Sequence, residues 1–247
     1  MFDSPSITLI LPAYNEVRRI AQTIGEAQAY FDERHHRYEI IVSADGDDGT
    51  RELVAEMART NPTLRVIGSR RRLGKGRGIR QGVALATGDI IGFVDADNKT
   101  PITEFDKFEP RLREGYDVVI GSRRTRGARI ERPQPLYRRL GSRGFALFMH
   151  AVVGLPDIAD TQCGFKFFQR RAALELFGRQ RIDGYMFDVE LLYLAHRAGY
   201  RIAQVPVRWR DDGDSRLELL GGNLRNVRDI LRIRFGKYGN FTVESEP

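Results

Sequence analysis

Five short apolar runs alternate with segments of helical pattern through the first half of this chain. The runs are Ile7–Leu11, Tyr38–Ser43, Leu64–Gly68, Ile90–Val94 and Val118–Gly121, and between them lie Glu16–Phe31, Thr50–Arg59, Gly76–Ala86 and Thr103–Arg113. Runs this short and this apolar read as strands covered on both faces. Repeated strand–helix succession points to a mostly parallel sheet with right-handed crossovers and helices on its faces. With 247 residues the chain can bury a full core in one large α/β domain. No stretch rich in Pro, Gly or Ser divides it, so 1–247 is read as a single domain.

Parallel strands bring their carboxyl ends to one rim, and open α/β sheets bind ligands there. The first strand ends in Leu11-Pro12-Ala13-Tyr14-Asn15-Glu16 and the second in Asp45-Gly46-Asp47-Asp48-Gly49. The third leads into Leu73-Gly74-Lys75-Gly76 and the fourth into Asp95-Ala96-Asp97-Asn98. Two carboxylates one residue apart repel unless a cation neutralises them. Mg²⁺ or Mn²⁺ takes oxygen ligands and often arrives with substrate phosphates. Each segment alone reads equally well as a solvated turn, because Asp, Asn and Gly are turn formers. Their succession at consecutive strand ends is what points to a nucleotide diphosphate held through a metal. The formal charge of +7 also asks for an anionic partner: a phosphate-bearing substrate, an acidic membrane surface or a nucleic acid.

Pro12-Ala13-Tyr14-Asn15-Glu16, Asp45-Gly46, Gly74-Lys75-Gly76 and Asp95-Ala96-Asp97 together resemble the inverting glycosyltransferases of family 2, which have the GT-A fold. A narrower similarity is to dolichyl-phosphate glucose and mannose synthases and their bacterial polyprenyl-phosphate relatives. It is carried by Val119–Arg123, Asp160–Lys166, Phe187–Leu192, Val205–Trp209 and Leu231–Arg234. The resemblance implies metal-dependent, inverting transfer of a hexose, glucose or mannose, from UDP-glucose or GDP-mannose to polyprenyl or dolichyl phosphate. It implies that Pro12, Tyr14 and Glu16 line the base and ribose pocket and that Asp45 accepts a hydrogen bond from the base. Gly74 and Gly76 would let the backbone approach the nucleotide, and Lys75 would donate to it. Asp95, Ala96 and Asp97 would contact the donor, Asp95 and Asp97 as ligands of Mg²⁺ or Mn²⁺. The expected catalytic set is Asp97, Asp160 and Arg123. Residues 1–121 are then the nucleotide-sugar-binding half and 122–247 the acceptor-binding half. Two positions depart from the family pattern. Ala44 stands where an acid is usual, and Lys99 where some relatives have a neutral metal ligand. A charged lysine cannot ligate a metal, which leaves that position to water.

From Arg123 to Arg143 there are eight arginines and one acid, Glu131. A phosphate acceptor is already ionised at neutral pH and needs charge compensation rather than a strong base. Guanidinium forks supply it, with Arg123, Arg124, Arg126, Arg138, Arg139 and Arg143 as candidates; a solvated basic loop is the alternative. A sugar-hydroxyl acceptor would need a base instead, for which Asp160 is the candidate, and its other reading is a structural turn carboxylate. Asp188 and Glu190 are read as capping or pairing groups, and Cys163 as a packed small hydrophobe.

No run reaches the ~18 apolar residues of a spanning helix. The expected location is cytoplasmic, peripheral on the inner face of the plasma membrane. Contact would come through the basic stretch, the apolar Phe145–Val153 segment and a basic final helix with the stripe Leu220, Leu224, Val227, Ile230 and Leu231. Such a stripe is more often simply core packing. A soluble or saccharide acceptor stays open. A sugar nucleotidyltransferase would put a Gly-rich basic loop where Pro12–Glu16 stands. Nucleic acid is not expected as a partner, because no aromatics interleave with the arginines. Nothing in the sequence speaks to oligomeric state.

Overall fold

The computed structural model describes residues 5–132, 144, 148–210 and 221–239. Its strands are β1 (Ile7–Tyr14), β2 (Tyr38–Asp45), β3 (Leu64–Ile67), β4 (Ile90–Val94), β5 (Val118–Ser122), β6 (Arg129–Arg132), β7 (Phe165–Gln169), β8 (Ile202–Pro206) and β9 (Arg208–Arg210). Its helices are α1 (Ile20–Glu33), α2 (Thr50–Ala58), α3 (Lys75–Leu85), α4 (Glu109–Arg113), α5 (Arg170–Arg179), α6 (Phe187–Ala198) and α7 (Gly221–Phe235). The segment expected as one helix over 103–113 is broken. A 3₁₀ turn, Ile102–Lys107, ends at Phe108, and α4 restarts with Pro110 in its first turn, where the missing N–H is harmless.

Seven strands form one sheet in the order β3-β2-β1-β4-β7-β5-β8. The chain places β2 and β3 on one side of β1, then crosses to put β4 on the other. That reversal between β1 and β4 is the switch point at which a crevice opens above the carboxyl ends. All pairings in this sheet are parallel except those of β7, which runs antiparallel to both β4 and β5. Because β7 is reversed, its beginning lies on the rim: Phe165 pairs with Val94. The turn 160–164 therefore arrives beside Asp95.

Alternate residues of the strands enter two cores. Leu9, Leu11, Phe165 and Phe167 pack with Ile20, Phe31, Phe105 and Phe108 on one face. Ile10, Phe93 and Phe168 pack with Ile79, Leu176, Leu191 and Ile233 on the other. Burial on both faces explains the unbroken apolar runs. A second, two-stranded sheet pairs β6 with β9 in parallel and was not expected from sequence. Arg138, Arg139, Arg143, Phe145 and Leu220 lie outside the described residues. Among those described, no helix is long and apolar enough to cross a membrane.

Candidate active site

The loops after β1 and β2 are knitted together. Asn15, at φ 55°, receives the Asp47 N–H on its side-chain oxygen at 3.2 Å, while its own N–H donates to the Asp45 carbonyl at 3.3 Å. Gly46 is required at this crossing: at φ +112°, a Cβ would stand 1.9 Å from Asn15 Oδ1. The Glu16 N–H donates to Thr50 Oγ1 at 2.9 Å, so the start of α2 also holds the β1 loop. Pro12, Tyr14 and Glu16 lie half-buried along this edge.

Asp45, expected to meet the base, is buried and holds the loop that follows β3. Its carboxylate accepts the Ser69 N–H at 3.1 Å and the Leu73 N–H at 2.7 Å. A carboxylate has about four acceptor sites, so two such bonds leave room for another donor. Wrapped around Asp45, the loop lays the Arg72 guanidinium over the Tyr14 ring, 4.3 Å from its centroid. Arg72 Nη2 also donates to Tyr185 Oη at 2.8 Å. Neither Arg72 nor Tyr185 stood out in sequence, because the contact spans 113 positions.

The same loop delivers the start of α3 to the rim. Gly74 and Gly76 face protein: a Cβ on Gly74 would lie 2.3 Å from the Asp183 carbonyl oxygen, and one on Gly76 2.6 Å from Phe187 Cβ. Asp183 also takes the Arg77 N–H and the Arg80 guanidinium. This close approach, which only glycine permits, fixes the root of Lys75. Lys75 Nζ then reaches Asp95 Oδ1 at 2.5 Å. Burial works against a charged Lys75, but Asp95, Asp188 and Asp97 outweigh it and hold the ammonium above its ordinary range.

The Asp95 carboxylate lies against Gly164, where a Cβ would come within 2.0 Å of Oδ2, and the Asp95 N–H donates to the Gly164 carbonyl at 3.0 Å. Ala96 is buried, with its carbonyl taken by Thr23 Oγ1 at 2.8 Å. What it visibly contributes is anchorage of the turn. Asp97 pairs with Lys99 Nζ at 3.2 Å. Burial and the neighbouring Asp95 charge push the Asp97 carboxyl above its usual range, with Lys99 opposing. Like-charge strain of this kind is what a divalent cation relieves, and two carboxylates are hard-oxygen donors that fit Mg²⁺ or Mn²⁺. Among the described residues no group of three or more His, Cys, Asp or Glu could hold a metal. Such an ion would draw its remaining ligands from diphosphate and water.

Across the rim, Arg123 and Asp160 face each other. Arg123 Nε and Nη2 donate to Asp160 Oδ2 and Oδ1 at 2.7 and 2.9 Å, and the Arg123 backbone N–H adds a third bond at 2.9 Å. Burial alone would raise the Asp160 carboxyl, but the Arg123 charge and these bonds pull it down to about 2. Both oxygens of this buried carboxylate are taken by Arg123, so in this arrangement Asp160 orients Arg123, as its reading as a structural carboxylate implies. Arg123 keeps three N–H groups that Asp160 does not use, and its guanidinium lies 5.5 Å from the Trp209 ring centroid. Asp95 is among the charges that raise the Arg123 pKa.

Behind the rim is a buried pair absent from the sequence reading as such. Lys166 Nζ donates to Asp188 Oδ1 and to the Cys163 carbonyl, each at 2.6 Å. Asp188 is thus a pairing group. Glu190 is another, accepting the Arg181 and Ile182 N–H groups and Tyr238 Oη–H. Burial pushes the Cys163 thiol up to about 12, which makes it an inert packed side chain.

A parallel sheet with one reversed strand, and a rim gathering acidic pairs, a lysine-bearing helix start and a clamped arginine, define a glycosyltransferase of the GT-A fold. The chain belongs to glycosyl transferase family 2, whose family model matches residues 8–177. It is 35% identical to a dolichyl-phosphate β-glucosyltransferase of Trichomonas vaginalis, over 97% of this chain and 74% of that protein. It is 32% identical to the human dolichyl-phosphate β-glucosyltransferase, over 95% and 77% of the two chains. Among solved structures, the glucosyl-3-phosphoglycerate synthase of Mycobacterium tuberculosis, in complex with Mn²⁺, UDP and phosphoglyceric acid, shares the fold. Its TM-score is 0.69 at 24% identity, covering 94% of this chain and 79% of that one.

Proposed function

We propose that this chain transfers glucose from UDP-glucose to the phosphate of a polyprenyl or dolichyl phosphate, with inversion at the anomeric carbon. The observation that carries the acceptor class is the Arg123–Asp160 pair. The one carboxylate expected to act as a base is committed to an arginine, while the arginine retains N–H groups for an anion. That arrangement suits an acceptor ionised from the start and leaves a sugar hydroxyl without a deprotonating group at this position. The glucosyl choice, and with it UDP-glucose over GDP-mannose, rests on the names of the relatives.

On this reading Asp95 and Asp97 hold Mg²⁺ or Mn²⁺, which when bound would stabilise the charge on the departing diphosphate. Tyr14, Pro12, Glu16 and Asp45 frame the base and ribose, and Lys75 stands ready at the diphosphate. Arg123, held rigid by Asp160, orients the acceptor phosphate. Residues 1–121 then serve the donor and 122–247 chiefly the acceptor, with Gly164 reaching across to seat Asp95. An acceptor with a polyprenyl tail also calls for a lipid-facing surface. The exposed Leu224, Leu231 and Phe235 of α7, set among the exposed Arg225, Arg228, Arg232 and Arg234, are suited to an anionic bilayer.

A matrix of labelled UDP-glucose and GDP-mannose against polyprenyl phosphate and soluble glycans tests this. Label from UDP-glucose should pass to the lipid fraction. Label passing chiefly to soluble glycans would contradict the acceptor assignment, and preference for GDP-mannose the donor assignment.

A further inference from the structure

Each rim aspartate carries its own lysine. Lys75 Nζ is 2.5 Å from Asp95 and Lys99 Nζ 3.2 Å from Asp97. The two lysines are rooted differently. Lys75 leaves the first residue of α3, clamped on the 182–187 segment by Gly74 and Gly76. Lys99 leaves the turn after β4, where its N–H donates to Asp97 Oδ1 at 3.3 Å and its carbonyl accepts the Arg210 N–H at 3.0 Å. Both backbones are fixed, and each ammonium group is carried on a four-carbon stem with rotatable bonds.

From this geometry, and resting on the donor-site reading above, we infer that Lys75 and Lys99 are exchangeable counter-ions, which make metal and nucleotide binding depend on one another. In the ligand-free protein each ammonium group already pairs with one rim carboxylate. Freeing the carboxylates for a divalent cation alone means displacing two positive charges to admit two, at a site where, among the described residues, no group of three or more His, Cys, Asp or Glu could hold the ion. The electrostatic gain is small, so the free ion binds weakly. A nucleotide diphosphate changes the balance, because its oxygens give the displaced ammonium groups a new anionic partner and supply further metal ligands. Each ligand then raises the affinity of the other by the same factor, as linkage requires.

The test is a binding cycle read by calorimetry, with Mn²⁺ counted by electron spin resonance: Mn²⁺ alone, UDP alone, and UDP with Mn²⁺ present. In the wild type, Mn²⁺ alone should bind weakly, and its presence should strengthen UDP binding on the order of tenfold or more. Lys75→Gln should tighten Mn²⁺ binding in the absence of UDP, by roughly threefold to tenfold, and shrink the coupling factor. Lys99→Gln, on a different element, should tighten free Mn²⁺ in the same direction, which guards against a folding defect peculiar to α3. Unchanged or weaker Mn²⁺ binding in both folded variants would overturn the counter-ion role while leaving the donor site standing. A wild type that binds neither UDP nor Mn²⁺, together or apart, would overturn the donor-site reading itself and the inference with it.

Discussion

Removing the carboxylate of Asp160 takes the clamp off Arg123 and leaves a half-buried guanidinium without its counter-ion. Breaking such a pair costs about 2–4 kcal/mol, allowing for the partial exposure of Arg123. The cost should depend on pH with a definite sign. The Asp160 carboxyl is held at about 2 in the fold, below the ~3.9 of an unfolded chain. Its stabilisation is therefore present above about pH 4 and lost as the pH falls toward 2. Urea melts of wild type and Asp160→Asn should differ most near pH 6 and converge as the pH falls toward 2. A gap independent of pH would contradict the clamp. Kinetically the variant should raise KM for a phosphate acceptor and leave the neutral pH profile unchanged, whereas a lost base would remove a limb of that profile. At this scale the gathering of the motif residues along one rim was legible, because strand-end position carries it. Their partners were not. Nothing local to Asp160 shows that Arg123, 37 positions earlier, will occupy both of its oxygens. Nothing near Asp95 indicates Gly164.

Helix α3 owes its position to glycines, and two glycine-to-alanine changes separate packing from propensity. Gly76→Ala drives a methyl into Phe187 and the Ile182 carbonyl and should destabilise by about 1–3 kcal/mol. Gly25, inside α1 with nothing within 4 Å of a built Cβ, is a control of opposite sign. Gly25→Ala should stabilise by about 0.5–1 kcal/mol through helix propensity alone. Thermal melts of the two variants check both signs, and equal shifts would show that α3 is not so tightly seated. Among the elements, the strand–helix alternation of the first half was readable because both-face burial makes the strands continuously apolar. The direction of β7 was not readable, since Phe165–Gln169 has the same character whichever way it runs. The strands β6 and β9 were missed because Arg129–Arg132 and Arg208–Arg210 are too basic to carry a strand's apolar signature.

At the scale of the molecule, the positive charge and the outward edge of α7 bear on where the protein works. The sequence left the α7 stripe open between core and surface, and the structure divides it. Ile230 is buried and Val227 half-buried, while Leu224 and Leu231 are 79% and 42% exposed; Phe235, outside the stripe, is 76% exposed. A helical period cannot show which apolar residues at the edge of a stripe will find a neighbour. The protein should sediment with anionic vesicles at low salt and less with neutral ones, because salt screens the arginine contribution of about 1 kcal/mol per residue. Leu224→Ser with Phe235→Ser should weaken what remains at high salt, and undiminished binding of that variant would assign the contact to another surface. The central claim concerns the acceptor, and one comparison reaches it most directly: label transfer from UDP-glucose, with Mn²⁺ or Mg²⁺, to polyprenyl phosphate and to the same polyprenol without its phosphate. The account predicts glucosylated lipid from the phosphate alone, lost in Arg123→Ala. Equal transfer to the free alcohol, or an Arg123→Ala variant that still uses the phosphate normally, would contradict it.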